Sequence, residues 1–120
     1  MVLNRAENPT EMAEQFHMLM NTNVLANIYL YSVFMPQILQ GNAKKVLAIT
    51  SGHSDIDIVN KFDIYHGSLY ATSKAAMNMI NAKFSTRYKQ YGVLFLGICP
   101  GAVDTGHIKD SKAWYSTLFW

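Results

Sequence analysis

The chain is poor in cysteine: Cys99 is the only one. An intrachain disulfide and a multi-cysteine zinc site are therefore excluded, and a single thiol in an apolar run points to a reducing compartment. Charge is also sparse. Only 15% of the residues are charged, and ten Lys/Arg against eight Asp/Glu give a net charge of +2. The basic residues are scattered between Arg5 and Lys112 with no dense cluster, so no nucleic-acid partner is expected. Long apolar runs are missing too. The best candidate, Val24 to Leu39, is 16 residues long and is interrupted by Asn27, Ser32 and Pro36, short of the ~18–20 that a membrane-spanning helix needs. No cationic start leads into an apolar stretch, so no secretory signal and no membrane association are expected, and the chain reads as cytoplasmic. The seven glycines stand apart, with no Gly-x-x-x-Gly-x-Gly run. Apolar residues, by contrast, make up half of the 120 positions. That is too many for a disordered chain and enough for one domain over residues 1–120.

Pro9-Thr10 predicts a helix start with Thr10 as its cap, and Glu11 and Glu14 suit the positive end of the helix dipole. Met12, Phe16, Met20, Val24, Ile28 and Tyr31 recur at helical spacing,. Asn21-Thr22-Asn23 interrupts them with poor helix formers, which predicts a bend or a functional polar group, and Gly41 is the expected stop. Lys45–Ser51 and Val93–Cys99 are short apolar runs of the kind found in buried strands. Between them lie a polar stretch, Gly52–Ser68, read as a loop, and a second helix, Tyr70–Tyr91. Ala75, Met79, Ala82 and Phe84 are its expected inward face, and Gly92 its end. The order helix, strand, loop, helix, strand is α/β, and its βαβ unit predicts a parallel pair of strands. In such sheets ligands bind beyond the carboxyl ends of the strands, here Thr50-Ser51-Gly52 and Cys99-Pro100-Gly101.

Tyr70 and Lys74 are four residues apart on the second helix, so their side chains share a face. An ammonium beside a phenol favours the phenolate, and a phenol tuned in this way serves as a general acid or base near neutral pH. Ser51 closes a strand and can offer its hydroxyl to a substrate carbonyl, or simply shape a turn. Gly101 permits close backbone approach and Thr105 carries a hydroxyl toward the same end. His53, His66 and His107 fit no compact metal-ligand spacing, so no metal site is expected; they read as substrate-lining or loop residues. Cys99 reads as a small core residue.

Three segments in order, Ile49-Thr50-Ser51-Gly52, Tyr70-Ala71-Thr72-Ser73-Lys74-Ala75-Ala76-Met77-Asn78-Met79 and Pro100-Gly101-Ala102-Val103-Asp104-Thr105, resemble the short-chain dehydrogenase/reductase family, and the phrasing is similar to its fungal C-factor-like branch. The resemblance implies a Rossmann-type fold and an NAD- or NADP-dependent oxidoreductase acting on a ketone, an aldehyde or a secondary alcohol, in fungal small-molecule metabolism. By the same resemblance Tyr70 is the proton donor, Lys74 its partner and a ribose contact, Ser51 the group that orients the substrate oxygen, and Asn23 the helix asparagine of the proton relay. Pro100, Gly101, Val103 and Thr105, with Tyr70 and Lys74, would meet the cofactor.

The family's glycine-rich pyrophosphate turn and the Asn-Asn-Ala-Gly segment before the first long helix are not in this sequence. The chain thus resembles a partial Rossmann-type fold, the catalytic half without the dinucleotide-binding half, shortened at both ends. Three functional readings follow: the oxidoreductase; a non-catalytic remnant acting by association with itself or another chain through residues 10–40 and 70–91; and a cofactor-independent isomerase or dehydratase using Tyr70 and Lys74. Both strands are apolar at nearly every position, as in sheets covered on both faces, yet in the family both helices lie on one side. Only the aromatic tail Ala113–Trp120 is left to cover the other.

Overall fold

A computed structural model describes residues 8–101 and residue 103; the expectations for Thr105, His107 and the tail lie outside them. The first helix, α1 (Pro9–Met20), is capped by Asn8, whose side chain accepts a hydrogen bond from the Glu11 amide at 3.3 Å. The cap is thus Asn8 and not Thr10. Pro9 takes the first helical position, where its fixed φ fits and its missing N–H is not needed. At Asn21–Leu25 the helix widens into one π-turn before continuing as α2 (Ala26–Gln40), so the interruption predicted there is real and adds a residue to the turn. Pro36 lies inside α2. Gly41 ends it in extended backbone, φ −74°.

Strands β1 (Lys45–Ile49) and β2 (Leu94–Ile98) pair in parallel, Lys45 opposite Leu94 through to Ile49 opposite Ile98. The stretch between them is not all loop. Ser51 caps a short 3-10 turn (Gly52–Ser54), and Asp55 caps a helix, α3 (Ile56–Lys61), through the Ile58 amide at 3.0 Å. The long helix α4 (Ser68–Tyr88) follows, and a 3-10 turn, Lys89–Tyr91, leads to Gly92 at φ +76°. Only that left-handed residue turns the chain into β2, and glycine adopts it without strain.

Helices α2 and α4 cover one face of the sheet, and α1 packs against α4. Tyr31, Met35, Val46, Ala48, Met77 and Val93 form the buried centre, and Phe84 and Phe95 set their rings edge-on to Tyr31 at 5.2 and 5.4 Å. The inward line of α4 differs from the expected one: Met77 is 2% exposed and Met79 is 59% exposed. Ser73, Met77 and Asn81, spaced by four, face in. Two of the three are polar, so an apolar pattern alone missed them: of the expected face Phe84 does pack on the core, while Ala75, Met79 and Ala82 are exposed.

Those polar residues have partners 50 positions earlier in the chain. The Asn23 amide donates to Ser73 Oγ at 2.9 Å, and the buried Tyr31 hydroxyl donates to Asn81 Oδ1 at 2.6 Å. Burial holds the Tyr31 phenol above its usual pKa, so it stays a donor at neutral pH. Tyr31→Phe is expected to destabilise the chain by about 1–3 kcal/mol, because it leaves the buried Asn81 carbonyl without its donor. Chemical denaturation of the two proteins measures this directly, and an unchanged midpoint would refute it.

The other face of the sheet is bare among the described residues. Leu47 and Ile49 are 56% and 54% exposed, and Leu94, Leu96 and Ile98 stand beside them, also exposed. The apolar-at-every-position pattern is that of a sheet meant to be covered twice; here the helices cover it once.

Candidate functional site

The carboxyl ends of β1 and β2 lie side by side, and the Thr50 amide extends their ladder by donating to the Ile98 carbonyl at 2.8 Å. Ser51 follows at once. Its Oγ accepts from the His53 amide at 3.3 Å, and its carbonyl accepts from the Ser54 amide at 3.0 Å. The turn is tied to α4, where Asn78 Nδ2 donates to Ser54 Oγ at 2.8 Å. Ser51 is therefore a turn residue whose hydroxyl sits, half-buried, at the strand end. Cys99, expected in the core, is exposed instead, just past the end of β2 at Ile98. Its Sγ accepts the Gly52 amide at 3.2 Å and so joins the two strand ends.

Lys74 reaches the same place from α4. Its Nζ donates to the carbonyl of Ile49, the last residue of β1, at 2.9 Å, and lies 5.7 Å from the centre of the Tyr70 ring. The four-residue spacing thus puts an ammonium beside the phenol at a strand terminus. Tyr70 is 40% exposed, and its hydroxyl makes no hydrogen bond to the described residues. Beyond β2, Pro100, Gly101 and Val103 are exposed. Gly101 is left-handed, φ +70°, with open space where a side chain would stand.

Asn23 is placed differently. It sits in the π-turn, half-buried, with its side-chain nitrogen on Ser73 and its carbonyl taking the Asn27 side chain at 2.9 Å. It is joined to the Tyr70 helix through Ser73, and the reading of the sequence passed over Ser73. The available signal was the inward spacing of 73, 77 and 81.

His53 and His66 meet edge-on, ring centres 5.1 Å apart, at a cavity of about 280 Å³ between the Ser51–Gly67 segment and α4, floored by Ile56, Val59 and Ala75. Burial, and then the charge of His66, lower the pKa of His53, which favours a neutral imidazole. The described residues hold no cluster of three or more His, Cys, Asp or Glu able to bind a metal, and no helix long and apolar enough to cross a membrane.

A family model, that of the short chain dehydrogenases, matches residues 3–116. The chain belongs to the short-chain dehydrogenase family. Among curated relatives, the short chain dehydrogenase virK of Hypocrea virens is 47% identical over 104 residues, which are 87% of this chain and 38% of virK. The short-chain dehydrogenase/reductase iacC of Pestalotiopsis fici is 52% identical over 97 residues, 81% of this chain and 36% of its own length. A third fungal relative, atnB of an Arthrinium species, is 34% identical over 100 residues. The chain thus spans well under half the length of these short-chain dehydrogenases. No solved structure matches it.

Proposed function

We propose that this chain carries the acid–base half of an NAD(P)-dependent oxidoreductase that reduces a ketone or aldehyde, or oxidises a secondary alcohol, in fungal small-molecule metabolism. One observation supports this most: Lys74 is fixed to the end of β1 beside an exposed Tyr70 phenol, in a member of a family of dehydrogenases. Tyr70 would give its hydroxyl proton to the substrate oxygen during reduction and take one from the alcohol during oxidation. Lys74 would hold positive charge beside that oxygen throughout, and Ser51 would orient the substrate oxygen with its hydroxyl. A bound nicotinamide would supply or accept the hydride.

The residues present fit one end of such a cofactor. An exposed hydroxyl, an ammonium and the open space at Gly101 suit a nicotinamide and its ribose, with Tyr70, Lys74, Pro100, Gly101 and Val103 as contacts; Thr105, the other proposed contact, lies outside the described residues. The sequence offers no glycine-rich turn for the pyrophosphate, whose double charge a helix terminus would otherwise receive. Isothermal calorimetry of the purified chain is therefore expected to show no saturable binding at micromolar NADPH. A micromolar dissociation constant would overturn that expectation.

A second reading has its own support. Tyr29, Leu30, Val33 and Phe34 on α2 and Met79 on α4 are exposed large apolar residues, which favours association through residues 10–40 and 70–91 with a second copy or another chain. Reduction of a panel of simple ketones and aldehydes, followed by NADPH absorbance at millimolar cofactor, separates the two. Turnover supports the oxidoreductase. Its absence at every cofactor concentration, from a folded chain, rejects it for this chain alone and leaves the association.

A further inference from the structure

Ser73 is fully buried in the second turn of α4. A serine there competes with the helix backbone for hydrogen bonds, and burying its hydroxyl is costly unless that group is bonded. Alanine would fill the position without either cost. The hydroxyl is used twice. It accepts from Asn23 Nδ2 at 2.9 Å and donates to the carbonyl of Tyr70 at 2.7 Å. That carbonyl is the one helical geometry also offers to the Lys74 amide, so Ser73 acts on the turn that carries both Tyr70 and Lys74. At the far end Asn23 is held as well, its carbonyl taken by Asn27 where the π-turn widens the helix. The result is a continuous path from the π-turn, through one hydroxyl, to the backbone of Tyr70.

We propose that Ser73 is a positioning residue, and that Asn23 acts on Tyr70 through it rather than by touching substrate. The importance of this for chemistry rests on the reading of Tyr70 as the proton donor; the coupling itself does not. Lys74 ties the same turn to β1 through the Ile49 carbonyl, so the turn is held at one side by the strand and at the other by the Asn23–Ser73 couple. The fold supplies a control. Tyr31 and Asn81 join the same two helices by another buried hydrogen bond, eight residues further along each, but touch neither Tyr70 nor Lys74.

Hydrogen–deuterium exchange of the full chain, read by mass spectrometry over peptides within residues 69–77, tests this without using turnover. Ser73→Ala and Asn23→Ala are each expected to speed exchange there about 3- to 10-fold, the effect of losing one hydrogen bond. The double variant should do no more than the larger single one, because both remove the same link. Tyr31→Phe, although destabilising, should leave those peptides at the wild-type rate under conditions where the fold persists. Where Ser73→Ala does not fold, Asn23→Ala against Tyr31→Phe still decides. Equal acceleration by Tyr31→Phe, additive effects in the double variant, or no acceleration by Asn23→Ala would overturn the proposal. An inactive chain would reject the oxidoreductase reading and leave this coupling standing.

Discussion

Tyr70→Phe is expected to lower any carbonyl reduction by this chain about 100-fold or more, in line with the loss of a general acid. The substitution is unusually clean here. The Tyr70 ring is partly exposed, and its hydroxyl bonds to none of the described residues, so removing the oxygen orphans no partner and opens no cavity. Stability should therefore stay within about 0.5 kcal/mol of wild type, as for most surface changes. The prediction has two parts that separate chemistry from folding: initial rates at saturating carbonyl substrate, and a denaturation midpoint. A variant that turns over at the wild-type rate removes Tyr70 from the proton step. A variant that loses both rate and stability shows that the phenol has a structural role the described contacts do not reveal.

The second large effect concerns assembly. Leu47, Ile49, Leu94, Leu96 and Ile98 present one continuous apolar surface on the uncovered face of the sheet. Burying a large apolar side chain fully is worth ~1.5–3 kcal/mol, so five residues left about half in water forgo several kcal/mol. The whole stability of a small domain is only ~5–15 kcal/mol. Among the described residues both strands also have a free edge, and such edges recruit other strands. The purified chain is expected to self-associate, or to bind a fluorescent apolar dye strongly. Sedimentation velocity and dye titration read the two outcomes, and placing lysine at Leu47 and Leu96 should reduce both. A compact wild-type monomer that unfolds cooperatively and takes up no dye would show that residues beyond 103 close the face.

Much of this architecture was written in local pattern. The two strands, the parallel βαβ order, the glycine after α4 and the break at Asn21-Thr22-Asn23 follow from short runs, spacing and poor helix formers. The neighbourhood of Tyr70 and Lys74 follows from the four-residue repeat of a helix. What local pattern could not give was anything decided by a distant partner. Ser73 and Asn81 face inward because Asn23 and Tyr31, fifty residues away in the chain, offer them hydrogen bonds; an apolar periodicity sees polar residues there and passes over them. Helix α3 was missed because its stabilising feature is a single cap, Asp55, in a stretch of mixed polarity. Asn8 and not Thr10 caps α1 because Pro9 suits the first helical position, which puts the cap one residue before it,. Cys99 reads as core because its run is apolar throughout, but β2 is exposed at four of its five positions and Cys99 lies just past its end.

The equal spacing of the two buried polar contacts has a mechanical consequence. Asn23 meets Ser73 and Tyr31 meets Asn81, an offset of fifty in both cases. Sliding the π-turn and α2 together along α4 by one turn, ~5.4 Å, would bring Asn23 level with Met77 and part both pairs together. Apolar side chains alone would tolerate such a slide, since one methyl-lined groove resembles the next. Two matched donors and acceptors do not: the misaligned packing strands the buried Tyr31, Ser73 and Asn81 groups and the half-buried Asn23 at once, and each buried group left unpaired costs about 1–3 kcal/mol. The pairs thus act as a vernier that allows one alignment of the helices, and with it one height of the Tyr70 phenol above the end of β1.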